Sequence, residues 1–117
     1  MYILMFLVAD TDLRAILFHG FSDRSRLRIL EALGDRERRV SDVVELTGLT
    51  QSNVSTHLAC LHDCGLVVRE RRGREVHYRV ADGVTDLLAV ADEILARTGE
   101  HIASCARYGR KRPELAA

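Results

Sequence analysis

The fold is decided by residues 41–65, SDVVELTGLTQSNVSTHLACLHDCG. Two short helical patterns, 41–48 and 50–65, are joined here by a tight connection that contains a glycine. Ser41 and Thr50 are the predicted N-caps, because their hydroxyls can accept a hydrogen bond from a free amide of the first turn. The glycine that ends each pattern is a predicted C-terminal stop. Two short helices at this spacing are typical of a helix-turn-helix.

A hairpin and a long helix are predicted on the C-terminal side of this stretch. Residues 66–80 contain two strand-like runs around a turn at Arg72 and Gly73. Residues 84–106 carry apolar side chains at intervals of three and four, which is the pattern of one helix face. Because the rest of the domain is too small to cover this face, a second copy with a matching helix is the economical solution.

On the N-terminal side, helices are predicted at 10–20 and 22–34. Asp10 or Thr11 can cap the first helix, and Ser22 can cap the second. The nine apolar residues before them are too few to span a bilayer and lack the basic leader of a secretion signal. We interpret them as an arm that packs on the domain or on a partner subunit.

The order of these elements predicts a mainly α fold with a small β-hairpin wing, the winged helix-turn-helix. We expect all 117 residues to form one domain that dimerises through its N-terminal and C-terminal helices. The composition agrees with one compact domain, since 47% of the residues are apolar and only one is proline. The last segment, 107–117, is a basic tail.

The net charge is zero, with 17 basic and 17 acidic residues, but the charges are segregated along the chain. Residues 67–79 carry five arginines against two glutamates, and the tail is also basic, whereas the rest of the chain is acidic. DNA responds to the local field rather than to the net charge, so two basic islands are compatible with nucleic-acid binding. Arginines that are merely solvated are the alternative.

The second helix of the opening stretch has a polar face suited to DNA. At about 100° per residue, Val54, Leu58 and Leu61 form a narrow apolar face, and the polar residues at the helix start lie elsewhere. Such polar side chains can reach base edges or phosphates, and arginines at a hairpin tip can reach a minor groove or its flanking phosphates. The predicted DNA-contacting residues are Gln51, Ser52, Ser55, Thr56, His57, Arg71, Arg72 and Arg74.

Three cysteines are candidates for metal or redox chemistry. Their odd number excludes complete internal pairing, which favours a reducing, cytoplasmic location. Cys60 and Cys64 lie four residues apart on the second helix, hence about 40° apart and on adjacent turns, where two thiolates can chelate one ion. Each cysteine taken alone is also compatible with a small packing residue.

Three segments carry a family pattern: SDRSRLRIL at 22–30, LTQSNVSTHL at 49–58, and CGLVV at 64–68 followed by the arginine hairpin that ends in VHYRV at 76–80. Together they resemble the ArsR/SmtB family of metal-sensing repressors, over residues 10–106. The resemblance implies a homodimeric repressor, not an enzyme, that binds double-stranded operator DNA and leaves it when a metal ion binds.

Within that family, the spacing of Cys60, Cys64 and the distant Cys105 is similar to the CmtR type. This similarity implies a cadmium or lead site whose third thiolate, Cys105, comes from the other subunit. Thiolates also accept mercury and zinc, which stay candidates. The candidates for a fourth ligand are His62, Asp63 and His101.

Two other metal sites of the family are incomplete in this chain. The first helix of the helix-turn-helix has Val43, Val44 and Glu45 where paired thiols would be needed. The zinc site of the long helices needs an Asp-x-His and a second histidine pair, whereas this helix has Asp86, Leu87 and Leu88 and a single histidine, His101. A thiol redox sensor that uses the cysteine pair is the second interpretation. A pure interaction domain is a further alternative, and an enzyme is the least favoured, because the chain has no glycine-rich phosphate loop or zinc-hydrolase histidine spacing.

Overall fold

A computed structural model describes residues 10–107 of the chain. In this range the elements are α1 (Thr11–Phe21), α2 (Arg24–Leu33), α3 (Val40–Thr47), α4 (Gln51–Asp63), β1 (Val67–Arg72), β2 (Glu75–Val80) and α5 (Val84–Ala103). The predicted mainly α fold with a hairpin wing is therefore confirmed. The predicted apolar arm at 1–9 and all but the first residue of the predicted tail at 107–117 lie outside the described residues.

The chain divides into two compact units, one that ends at Ala81 and one that begins at Asp82. The first unit holds α1 to α4 and both strands, and the second holds α5. That all 117 residues form one domain stays a prediction.

The start of α2 corrects a predicted cap. α1 begins as expected at Asp10, whose carboxylate accepts an amide hydrogen bond of the first turn at 3.1 Å. The prediction that Ser22 caps α2 is wrong, because the Asp23 carboxylate accepts the hydrogen bond of the Arg26 amide at 2.9 Å. The Ser22 hydroxyl instead donates to the carbonyl of His19 at 2.7 Å and ends α1. A carboxylate adjacent to the serine thus takes the position that the serine was expected to fill.

The start of α3 also differs from the prediction. Ser41 lies inside the helix, and Arg39 occupies the N-cap position. The Arg39 amide donates to Asp42 Oδ2 at 2.9 Å, and this hydrogen bond holds the pKa of Asp42 below its ordinary value. The predicted stop at Gly48 is confirmed, since its φ of 73° is left-handed, a conformation that glycine adopts without steric cost.

The core of the first unit forms where α2, α3 and α4 pack on one another. α4 begins at the predicted cap Thr50, whose hydroxyl accepts the Asn53 amide at 3.1 Å. The predicted apolar face of α4 is confirmed as core, because each of its three residues is at most 1% exposed. The largest fully buried side chains are Ile29, Leu30, Leu33, Val43, Val54, Leu58, Leu61 and Val67.

β1 and β2 pair antiparallel along their whole length, so that Arg72 lies opposite Glu75 beside the turn. The turn consists of Gly73 and Arg74, one residue later than predicted. Gly73 has a φ of 63°. In the part of the chain that the structure describes, all residues with a positive φ are glycines, so Arg74 has a negative φ. A positive φ at the first of two turn residues is the arrangement of a type II′ hairpin turn, which matches the twist of the strands.

α1 and α5 leave apolar side chains exposed. Within the described residues α1 buries no side chain, and its Ile16 and Phe18 are 65% and 55% exposed. In the second unit, Ile94 and Leu95 of α5 are 54% and 46% exposed. None of the helices between residues 10 and 107 has the length and apolar content to cross a membrane.

The predicted extent of the long helix is corrected at its C-terminal end. α5 ends at Ala103, so Cys105 lies in the turn that follows the helix rather than within it. The Ser104 hydroxyl donates to the carbonyl of Glu100 at 2.9 Å, a local hydrogen bond that competes with continued helix. The Cys105 amide then donates to the carbonyl of Ile102 at 3.1 Å.

Candidate nucleic-acid interface and metal site

The first turns of α4 present a polar face to solvent. Its apolar residues are buried, and the Thr50 cap uses only one of the free amides at the helix start. The other amides and the positive end of the helix dipole are suited to phosphate, and the polar side chains are suited to base edges. The exposed residues of this face are Gln51, Ser52, Ser55 and Thr56.

His57 lies on a different flank of α4 from these residues. It is half-buried and about 100° around the helix from Thr56. The pKa of the Asp23 carboxyl is lowered first by the hydrogen bond of the Arg26 amide, and further by the charges of Arg26 and His57. The ring therefore lies close enough to the N-terminus of α2 to act on its capping carboxylate, and its predicted contact with DNA stays a prediction.

One face of the wing, which we call the arginine face, consists of Arg69, Arg71, Val76 and Tyr78. Directly opposite residues of an antiparallel pair share a face, and Arg69 is opposite Tyr78 as Arg71 is opposite Val76. These four side chains line an open cleft of about 450 Å³. The cleft thus combines two guanidinium groups with an aromatic ring, a combination suited to a phosphate backbone.

The other face of the wing is ion-paired. The Arg72 guanidinium contacts Glu37 through both terminal nitrogens, at 2.6 Å and 2.9 Å, and its Nε contacts Glu70 at 3.4 Å. The Glu70 hydrogen bond and the charge of Glu37 raise the pKa of Arg72 above its ordinary value. Nη1 of Arg39 contacts Glu75 at 2.8 Å, which raises the pKa of Arg39 and lowers that of Glu75. Of the three predicted wing contacts, Arg72 is therefore the one held by carboxylates.

The predicted thiol pair is brought together by α4. Cys60 and Cys64 are both exposed and lie one helical turn apart at the C-terminal end of α4. Desolvation and then the neighbouring Cys60 raise the pKa of Cys64, whereas the Arg26 guanidinium on α2 acts in the opposite direction. Two adjacent sulfur donors fit one soft metal ion.

The described part of one chain does not complete a metal site. Between residues 10 and 107, no three His, Cys, Asp or Glu side chains are grouped so that they could hold an ion. Cys105, the predicted third ligand, is half-buried and belongs to the second compact unit. His62 lies about 160° around α4 from the thiol pair and contacts Asp63 at 3.8 Å, so helix geometry disfavours it as a fourth ligand. Asp63 and His101 are both exposed, and their ligand roles stay predictions.

Three residues that belong to the wing or form ion pairs with it were not predicted from the sequence. Arg69 could have been found, because strand alternation places residues two apart on one face and Arg71 was already singled out. Glu37 and Arg39 had no sequence signal, because their partners Arg72 and Glu75 lie more than thirty residues further along the chain.

The chain is similar to known bacterial regulators over most of its length. The model of the family described as bacterial regulatory protein, arsR family, matches residues 23–68, which include α2, α3 and α4. A probable mercury resistance operon repressor of Streptomyces lividans is 36% identical over 97 residues, which cover 82% of this chain and 78% of the relative. The transcriptional regulator CmtR of Mycobacterium tuberculosis is 47% identical over 68 residues, or 58% of each chain.

Solved structures give the same assignment. The crystal structure of Rv0081 from Mycobacterium tuberculosis superposes with a TM-score of 0.69 at 35% identity, over 77% of this chain and 92% of that one. The homodimeric winged helix-turn-helix DNA-binding domain of Mb0332 from Mycobacterium bovis superposes with a TM-score of 0.64 at 28% identity, over 80% and 94% of the two chains. The chain belongs to the ArsR family of winged helix-turn-helix transcriptional regulators.

Proposed function

We propose that the protein is a homodimeric repressor that binds operator DNA without metal and is released when a soft metal ion, cadmium or lead, binds its cysteine thiolates. The observation that carries this proposal is that Cys60 lies in the last turn of α4 and Cys64 is its C-cap, while the first turns of the same helix present a polar face to solvent. A ligand held by this pair acts on the reading helix itself. Mercury and zinc are further candidate ions for the same donors.

The DNA-binding surface of the proposal combines α4 with the wing. The side chains at the start of α4 would contact bases or phosphates in a major groove, and the wing arginines would contact phosphates beside a minor groove. The proposed contacts are Gln51, Ser52, Ser55, Thr56, His57, Arg71 and Arg74, to which the arginine face adds Arg69.

The exposed apolar faces of α1 and α5 support a homodimer, because a second copy would cover them. The structure similar to this chain from Mycobacterium bovis is a homodimer. A twofold dimer presents two reading helices to an operator of twofold symmetry, and the spacing of the half-sites must match the spacing of the helices. Such a protein would act in the cytoplasm, where DNA and reduced thiols coexist.

The metal site of the proposal is shared between subunits. Cys60 and Cys64 supply two thiolates from α4, and Cys105 of the second subunit would supply the third. The names of two relatives, a mercury resistance repressor and CmtR, support a metal response, and derepression of metal-resistance or efflux genes would follow. When bound, the ion would link the two subunits through sulfur and so change the spacing or tilt of the reading helices.

Release by metal requires the ion to bind the DNA-incompetent state more tightly, by about 1 to 3 kcal/mol for a modest response and about 5.5 kcal/mol for near-complete switching. By reciprocity, DNA must weaken metal binding by the same factor. Equal cadmium affinity with and without bound DNA would therefore exclude the coupled mechanism.

The test is a release series on an operator selected by the wild-type protein from a random-sequence library. Cadmium, lead, mercury and zinc are each titrated into the wild-type complex and into Cys60→Ser, Cys64→Ser and Cys105→Ser complexes. We expect each cysteine variant to bind DNA but not to be released by metal. The control variant Ala96→Ser places a serine at an exposed position of α5 and should be released by metal like the wild type. Release that survives all three cysteine substitutions would remove the proposed site.

A thiol redox switch is the second candidate, and the two free thiols one helical turn apart at the end of α4 favour it. Four-residue helical spacing strains a disulfide, which weighs against it. Diamide in the presence of a metal chelator separates the two candidates, because it would release DNA only if a disulfide is the switch.

A further inference from the structure

The segment between α2 and α3 runs beside the wing like a short third strand. The Arg38 amide donates to the carbonyl of Tyr78 at 2.9 Å, and the Tyr78 amide donates back at 2.8 Å. Successive residues of an extended segment point to opposite faces. Glu37 and Arg39, on either side of Arg38, therefore both point to the ion-paired face of the wing.

Two ion pairs of opposite polarity join this segment to the end of the hairpin. Glu37 contacts Arg72 at the end of β1, and Arg39 contacts Glu75 at the start of β2. The Arg72–Glu37 pair is bidentate, and the Glu37 side chain is only 28% exposed. Single exposed ion pairs contribute little, but bidentate geometry and partial burial are the conditions under which such a pair holds a defined position.

We infer that Arg72 is a positioning residue which, through Glu37, clasps the wing to the segment before α3, and that it is not a phosphate contact. This inference rests on the proposed DNA binding. Nη1, Nη2 and Nε of Arg72 all face carboxylates, so a phosphate would have to displace Glu37 and Glu70 from the guanidinium. The phosphate contacts of the wing are then made by the arginine face and by Arg74 in the turn.

The Arg72–Glu37 and Arg39–Glu75 ion pairs, which we together call the clasp, connect the wing with the helix-turn-helix. Arg39, which holds Glu75, also contacts Asp42 in the first turn of α3, at 3.5 Å between Nε and Oδ2. A chain of charges thus runs from the wing to the start of α3, which packs on α4. The clasp therefore sets the orientation of the arginine face relative to the reading helix.

The test measures two quantities on the full-length protein. One is the slope of log Kd against log salt for a labelled duplex of random sequence, about 30 base pairs long, because each lost phosphate contact lowers the slope by about one per protomer. The other is hydrogen exchange of the Arg38 and Tyr78 amides without DNA, which reports opening of the wing.

We expect Arg71→Ala to lower the salt slope by about one per protomer and to leave amide exchange unchanged. Arg72→Ala and Glu37→Gln should leave the slope unchanged, accelerate exchange about two- to fivefold and weaken DNA binding by a similar factor. The charge-swapped double variant Glu37→Arg with Arg72→Glu should restore the exchange rates and the DNA affinity to wild-type values, because it keeps the pair and the net charge.

Two results would overturn the assignment. One is a salt slope that falls by about one per protomer in Arg72→Ala while amide exchange stays at the wild-type rate. The other is tighter DNA binding by Glu37→Gln, which would mean that the carboxylate competes with phosphate for Arg72. A wild-type protein that binds no duplex would instead refute the proposed function, and the exchange data would still decide whether the clasp exists.

Discussion

α4 and α5 use their apolar residues in opposite ways. Leu58 and Leu61 of α4 are at most 1% exposed, whereas Ile94 and Leu95 of α5 remain about half exposed. α1 resembles α5 in this respect, since its Ile16 is 65% exposed. One chain therefore completes the core beneath α4 but leaves apolar faces exposed on α1 and on α5, which supports the proposed dimer.

The largest expected effect tests the buried side of this comparison. Leu58→Ala should lower the free energy of unfolding by about 3 kcal/mol, because it leaves a cavity in a fully packed core. Urea denaturation followed by circular dichroism measures the loss. Leu46→Ala, the same chemical change at a side chain that is 53% exposed, should cost less than about 1 kcal/mol. Equal losses of unfolding free energy in the two variants would contradict the assignment of the apolar face of α4 to the core.

The exposed side of the comparison is tested by a charge on α5. Ile94→Asp should weaken dimerisation by roughly 30-fold, or about 2 kcal/mol, because a carboxylate would be desolvated in the apolar interface. Sedimentation equilibrium measures the dissociation constant. Ala96→Asp introduces the same charge about 160° around α5 and should leave it unchanged. If Ile94→Asp leaves the dimer intact, the α5 face is not the interface.

A smaller effect is expected at the start of α2. Asp23→Ala should destabilise the protein by about 1 kcal/mol, because the Arg26 amide loses its acceptor. Ser22→Ala should cost less than about 0.5 kcal/mol, because the serine is not the N-cap. Thermal or urea unfolding measures the stability of both variants. A larger loss of stability in Ser22→Ala than in Asp23→Ala would show that Ser22 is the N-cap.

The smallest effect is the pH dependence of this cap. The hydrogen bond of the Arg26 amide, with the charges of Arg26 and His57, lowers the pKa of Asp23 below its ordinary value of 3.8. Because the folded pKa is the lower one, the carboxylate stabilises the protein above the unfolded pKa, and this contribution is lost as pH falls through the folded pKa.

The stability difference between wild type and Asp23→Asn should therefore shrink between about pH 5 and pH 3. Urea unfolding at each pH measures it. Asp23→Asn keeps an acceptor oxygen but does not titrate, so it isolates the charge. A difference that stays constant over this range would show that the charge of Asp23 contributes nothing.

Local patterns accounted for most of the predicted fold. Helical periodicity found the core face of α4 and placed Cys60 beside Cys64, and Gly73 marked the turn of the wing. The errors lie at helix ends, where neighbouring residues compete. Ser22 and Asp23 can both cap a helix, and which one does so depends on backbone dihedral angles that a pattern of residue types does not specify.

Features that depend on residues within about one helical turn or one hairpin were predictable from the sequence: the helices, the wing and the thiol pair on one flank of α4. Which charges meet became visible only in the folded chain. It brought Glu37 to Arg72 and Arg39 to Glu75, and so divided the wing into an arginine face and an ion-paired face. The physical reason is that contacts between distant residues follow from the packing of the elements, whereas periodicity and capping act only between near neighbours.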